Sequence, residues 1–137
     1  MNSGINLIGH NKVFTNLINL YKDQKLPNKI LLSGNKGIGK FLFASHFTNY
    51  VLSENEEFKY NEYKFLINKN NKSYILFNNN SHPNIHIVSK KNGKKNIDIS
   101  QIREMIQFQN NSSFNSKIRF ILIDCVDSLN LNSTNAL

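Results

Sequence analysis

Ile30-Leu31-Leu32-Ser33-Gly34-Asn35-Lys36-Gly37-Ile38-Gly39-Lys40 is the stretch on which the fold turns. From Gly34 it fits G-x-x-x-x-G-K. Glycines at these spacings let the backbone wrap closely, so that its N–H groups can point at phosphate oxygens. Lys40 can reach the terminal phosphates. The residues after it, with Phe43, Phe47 and Val51 on one face, predict a helix whose positive end aims at the same anion. The apolar run Ile30–Leu32 suits a buried parallel strand. A bland alternative exists, a glycine turn with an exposed lysine. The strand before and the helix after favour the phosphate loop, with Gly34, Asn35, Lys36, Gly37, Ile38, Gly39, Lys40 and Phe41 as its residues. Phe41 stands where Ser or Thr normally ligates Mg²⁺, and a phenyl ring offers no oxygen. Ser45 lies one turn further on, too far to replace it.

Upstream, Val13, Leu17, Leu20 and Tyr21 recur at helical spacing over 11–24, with Pro27 closing that element. Downstream, residues 53–82 are rich in Asn, Lys, Glu and Tyr. They read as a polar, metal-free and comparatively mobile insertion, with a marginal strand at Ser73–Phe77. After His82-Pro83, Ile85–Val88 looks like a strand and Lys90–Lys95 like a polar turn. Asp98 can cap the next helix, with Gln101 completing a capping box. Ile102, Met105 and Ile106 give that helix its apolar face. Ile118–Ile123 is a second buried strand. Asn130–Leu137 opens a further helix without a stop signal, which suggests a C-terminally truncated domain. The alternation of strands and helices predicts an α/β fold, a central parallel sheet flanked by helices, with Ile30–Ser33 and Ile118–Ile123 as neighbours.

Arg119-Phe120-Ile121-Leu122-Ile123-Asp124 has the form of a Walker B strand, whose terminal acid helps to hold Mg²⁺. Asp124 is the candidate metal residue should Mg²⁺ bind; read alone, it is as well a strand-end aspartate. Cys125 follows where the hydrolytic AAA+ enzymes carry the Glu that activates water. A neutral thiol is a poor base, and Asp127 is displaced from the role, so no catalytic residue is assigned. Loss of a general base alone costs about 10²–10⁴ in rate.

The 137 residues suit one compact domain, and the net charge of +8 can favour a polyanion. Lysines are scattered, however, and Lys far outnumbers Arg amid abundant Asn and Ile, the signature of an AT-rich genome. The lone cysteine, Cys125, excludes an intrachain disulfide and a cysteine-based zinc site. No basic segment leads a long apolar run, and no stretch has the length of a membrane span, so a cytoplasmic location without membrane contact is expected. His10, His46, His82 and His86 lack metal-ligand spacing. The cluster Lys90, Lys91, Lys94 and Lys95 reads as a solvated loop ahead of a DNA contact.

Leu7-Ile8-Gly9-His10, the run Ile30–Lys40, His82-Pro83, Ile97-Asp98-Ile99-Ser100-Gln101-Ile102-Arg103 and the stretch from Asp124 to Asn135-Ala136-Leu137 together resemble the delta-prime subunits of bacterial DNA polymerase III clamp loaders, members of the AAA+ P-loop class. The resemblance covers nearly the whole chain apart from 53–82. It implies that residues 1–137 are an AAA+ nucleotide-binding domain, with the lid and collar domains not included. It also implies that Ile8, Gly9 and His10 form an adenine-side loop. The partners implied are delta and gamma/tau subunits and, through them, the beta clamp and primer-template DNA. Delta-prime subunits are commonly rigid and catalytically defective, in accord with Phe41 and Cys125, so ATP or ADP with Mg²⁺ is expected to bind weakly or not at all. Asn84 replaces the family's aspartate after His82-Pro83. The four-cysteine zinc module of many relatives has no counterpart in 53–82, so no zinc is expected. Two other readings, an active gamma/tau-type motor and another P-loop nucleotide enzyme, conflict respectively with positions 41 and 125 and with the Asp98–Arg103 segment.

Overall fold

The computed structural model describes residues 4–112, 118–124 and 129. The chain divides into two units, residues 1–76 and 77–137.

In the first unit, β1 (Gly4–Asn6) leads through a tight turn into α1 (Asn11–Lys22), and the glycine loop leads into α2 (Lys40–Leu52). β2 (Leu66–Asn68) pairs antiparallel with β1, Ile5 opposite Ile67, and α3 (Lys72–Asn78) follows. Gly4 is demanded by this pairing: a Cβ there would lie 2.5 Å from Leu66 Cδ1 and 2.6 Å from the Ile67 carbonyl oxygen. The core is aromatic. Phe14 on α1 is fully buried, and its ring centroid lies 5.4 Å from Phe43, 6.2 Å from Phe47, 5.7 Å from Tyr60 and 5.8 Å from Phe65. Most of these contacts are edge-to-face, the arrangement that the ring quadrupole favours.

Phe43, Phe47 and Val51 are all buried on α2, as their spacing predicts. On α1 the buried residues are instead Phe14 and Ile18, while Val13 is 52% exposed. The two apolar stripes overlap on the helical wheel, and the aromatic partners on α2 and beyond select the one that carries a ring. Pro27 does not end α1. Gln24, at φ 57°, takes the left-handed position usually given to glycine, and the amides of Gln24 and Lys25 donate to the carbonyls of Tyr21 and Leu20. That is a Schellman closure, reached before the proline.

The segment 53–82 contributes to this core rather than merely decorating it. Tyr60 and Ile67 are buried. Asn49 on α2 and Asn71 exchange amide hydrogen bonds of 3.0 and 3.2 Å, and Asn71 Oδ1 also accepts the Tyr74 amide at 2.8 Å. Asn71 thereby caps α3, which turns Ser73–Phe77 into helix where a strand is predicted. A short apolar run has no decisive period of its own, and the cap in front of it settles the outcome.

In the second unit, β3 (Ile85–Val88) and β4 (Phe120–Ile123) pair in parallel, Ile85 opposite Phe120 and Val88 opposite Ile123. α4 (Ile99–Asn110) covers one face, packing Ile102 and Met105 against Val88 and Ile97. Asp98 stands at the N-cap of α4 as predicted, but the capping box does not form. The Asp98 carboxylate is taken by Lys94 at 2.7 Å, and Gln101 Oε1 accepts the Ser89 amide at 3.3 Å, tying α4 to the end of β3. The ammonium beside it lowers the Asp98 pKa.

The expected central parallel sheet is corrected to two small sheets among the described residues, β1–β2 antiparallel and β3–β4 parallel. Residues 30–33 take no strand, with Ile30 45% and Leu31 76% exposed. A strand exists through the backbone bonds that its neighbours supply, and an apolar run provides none by itself. Ile30–Ser33 and Phe120–Ile123 also fall in different units, and β3 is the one partner of β4 among the described residues. No helix among the described residues is long and apolar enough to cross a membrane.

Candidate phosphate loop and acidic strand end

Residues 34–38 are exposed, and Gly39 and Lys40 are half-buried where α2 begins. Gly37 and Gly39 adopt φ of 83° and 90°. A Cβ at either would meet nothing within 4 Å, so glycine is required there by backbone conformation and not by space. The Ile38 amide donates to the Asn35 carbonyl at 3.3 Å, closing a turn. Lys40 folds back over it: Nζ lies 2.7 Å from the Gly34 carbonyl oxygen and 3.0 Å from that of Asn35.

Ile8, Gly9 and His10 lie near this end of α2. Gly9 and His10 both have positive φ, 80° and 59°, and Ile8 is 88% exposed. The His10 ring meets Phe43 edge-on at 6.4 Å, one turn beyond Lys40. The first unit therefore brings the predicted adenine-side turn and the predicted phosphate loop to the same helix.

The expected magnesium-ligand position carries no hydroxyl. Phe41 presents a ring, and the Ser45 hydroxyl donates to the Phe41 carbonyl at 2.8 Å, along the helix. Neither side chain fits the role of the usual hydroxyl ligand.

In the second unit, Asp124 ends β4 with its amide donating to the Val88 carbonyl at 2.8 Å, so the acid sits at the carboxyl end of the parallel pair. That is the edge at which α/β proteins present ligand-binding groups. Cys125 and Asp127 lie outside the described residues, as does Asn130–Leu137. Asn84, the family's aspartate position, is 2% exposed; its amide nitrogen donates to the Ile118 carbonyl at 3.3 Å, and its own carbonyl accepts the Phe120 amide at 2.7 Å. It fastens the entry of β3 to the entry of β4. His86 stacks on Phe108 of α4 at 5.3 Å, and the Arg119 guanidinium lies 3.8 Å from the centroid of the same ring. No group of three or more His, Cys, Asp or Glu side chains assembles among the described residues. Lys90, Lys91 and Lys95 are exposed on their turn.

Sequence reasoning places the loop and the acid but misses what Lys40 does with its ammonium. A lysine ending G-x-x-x-x-G-K carries no sign of whether it faces outward or back onto its own loop.

The described residues form a chain of the mixed α/β class. Within that class, the family model described as DNA polymerase III, delta subunit, matches residues 9–137, and the chain belongs to that family. It is thus a clamp-loader-related subunit of DNA polymerase III, a protein of DNA replication. No curated protein matches the sequence significantly.

Proposed function

We propose that the chain acts as a delta-prime-like subunit of the clamp loader, a largely structural AAA+ member that helps to place the beta clamp on primed DNA in the cytoplasm. The observation that carries this reading is the coincidence of a family match over 9–137 with a phenylalanine at the magnesium-ligand position of the glycine loop. In this reading Gly34–Phe41 and Ile8–His10 are the remnant of a nucleotide site, and Asp124, next after β4, is the Walker B acid. Nucleotide, ATP or ADP, binds weakly and is not hydrolysed. The partners are delta and gamma/tau subunits, with contact to the beta clamp and primer-template DNA made through them.

Reconstitution tests the assembly side. Expressed from its own complete reading frame and mixed with delta and gamma/tau subunits of the same organism, the protein should co-elute with them as one complex in gel filtration. A loader that forms without it, while it elutes alone at micromolar concentrations, overturns the proposal.

A further inference from the structure

β3 has two edges, and β4 occupies one of them. There the carbonyls of Asn84 and Val88 accept the Phe120 and Asp124 amides at 2.7 and 2.8 Å. In a parallel ladder, alternate residues of a strand turn their backbone groups to the same neighbour. Asn84, His86 and Val88 therefore face β4, while Ile85, Ile87 and Ser89 face away. Among the described residues no strand pairs with that second edge. Its end amides are answered: Ile85 donates to the His82 carbonyl at 3.2 Å, and Ser89 to Gln101 Oε1 at 3.3 Å. Between them, the Ile87 amide and the Ile85 and Ile87 carbonyls meet no such partner among the described residues. A cleft of about 330 Å³ runs beside them, lined by Ile85–Ile87, by Ser89 and by Phe77, Asn80 and His82, with nothing from β4. Open strand edges take up extended peptides through main-chain hydrogen bonds, and the side chains around the edge supply the selectivity. Here the surroundings select a sign. From Phe77 to Ile97 the chain carries four lysines and no acidic residue. Lys90 and Lys91, next after Ser89, are exposed.

We propose that the open edge of β3 is a docking site for an acidic, extended segment of a partner protein, which adds as a strand beside Ile85–Val88 and sets its carboxylates against Lys90 and Lys91. The inference rests on the edge and the charges beside it and is independent of the clamp-loader reading. Nucleic acid could meet the same lysines, but it has no peptide N–H and C=O groups with which to continue the ladder. The edge therefore argues for a peptide.

Measurements on the full chain test it. In the protein alone, the Ile87 amide should exchange with solvent at least about tenfold faster than that of Val88, which is turned to β4. Equal protection would mean that the edge is already covered by the chain itself, and overturns the proposal. The probe is a fluorescent synthetic peptide, Asp-Glu-Val-Thr-Val-Thr-Val-Asp-Glu, with acids at both ends so that either direction of pairing is served. It should bind with a Kd below about 0.5 mM at low salt and slow exchange at Ile87 while leaving Val88 unchanged. The same peptide N-methylated at its five central residues should bind at least about tenfold more weakly, because it has lost its main-chain donors. Lys90→Glu with Lys91→Glu, both on exposed positions, should weaken the unmethylated peptide by about tenfold without lowering Tm. No binding of the peptide at about 2 mM, or equal binding of its N-methylated form, overturns the proposal. A ten-nucleotide oligo-dT that binds more tightly than the peptide would assign the lysines to DNA and overturn it as well.

Discussion

Replacing Phe14 by Ala should destabilise the first unit by about 3–5 kcal/mol, the usual cost of truncating a buried aromatic ring. Phe14 is fully buried and touches rings from α2, from Tyr60 and from Phe65, so its loss opens a void that several elements line. Collapse into that void is resisted because the neighbouring rings are themselves held. Tyr60 hydrogen-bonds His46 at 2.9 Å, and its amide donates to Ser53 Oγ at 2.9 Å. Domains of this size are stable by only about 5–15 kcal/mol, so the loss is a large share. Urea unfolding followed by circular dichroism checks it. A midpoint within error of the native one would mean that the aromatic cluster does not hold the unit together. Val13→Ala, on the exposed side of α1, should move the midpoint little, which tests the correction to the predicted stripe.

The second large effect is a dependence on pH that runs through His46. The ring is fully buried, and burial pushes its pKa down to about 4, against about 6.5 when exposed. The folded state therefore refuses a proton that the unfolded chain accepts. Between pH 6.5 and about 4 the unfolded state binds more protons, so stability is full above this window and falls as the pH drops through it. The loss by pH 4 is on the order of 3 kcal/mol from this group. Tyr60, 2.9 Å away, offers no relief, since its own pKa is pushed up by burial and it stays neutral throughout. Urea midpoints from pH 7.5 to 4.5 should decline, and His46→Gln should flatten the decline. A variant that declines as steeply as the native protein would assign the acid sensitivity to other groups.

Much of the framework was legible in the sequence because single periods speak for themselves. Phe43, Phe47 and Val51 are buried on α2 as their spacing predicts, and Ile85–Val88 pairs in parallel with Phe120–Ile123, the strand formed within the predicted Ile118–Ile123. The failures share a physical origin in partners that sequence spacing does not reveal. Val13 and Phe14 are equally plausible as core until the rings of α2 choose between them. Ser73–Phe77 becomes helix because Asn71, buried and paired with Asn49, caps it. The Asp98 cap loses its carboxylate to Lys94, only four residues away. β1 and β2 escaped notice since a three-residue strand starting with glycine has no pattern to read, and its pairing is visible only through the Gly4–Leu66 approach. Of the candidate site, the glycine loop and the strand-end acid were readable as motifs and the turn at Ile8–His10 only through the family resemblance, while the inward fold of Lys40 was not readable.

The central claim is that this subunit belongs to a clamp loader without itself consuming ATP. Its most direct test is steady-state ATP hydrolysis, stimulated by primed DNA and beta clamp, in loaders reconstituted with delta and gamma/tau subunits. One loader carries the native protein and the other carries Phe41→Thr with Cys125→Glu, which places a hydroxyl at the expected magnesium-ligand position and a carboxylate at the expected base position. Phosphoryl transfer depends almost wholly on positioning and charge stabilisation, so the effects of the two substitutions are expected to compound. The account predicts that the native subunit contributes nothing: inactivating the gamma/tau sites abolishes all turnover in the native loader, and any residual hydrolysis appears only with the double reversion. Hydrolysis that persists in the native loader after the gamma/tau sites are inactivated, and that Lys40→Ala then removes, would contradict it.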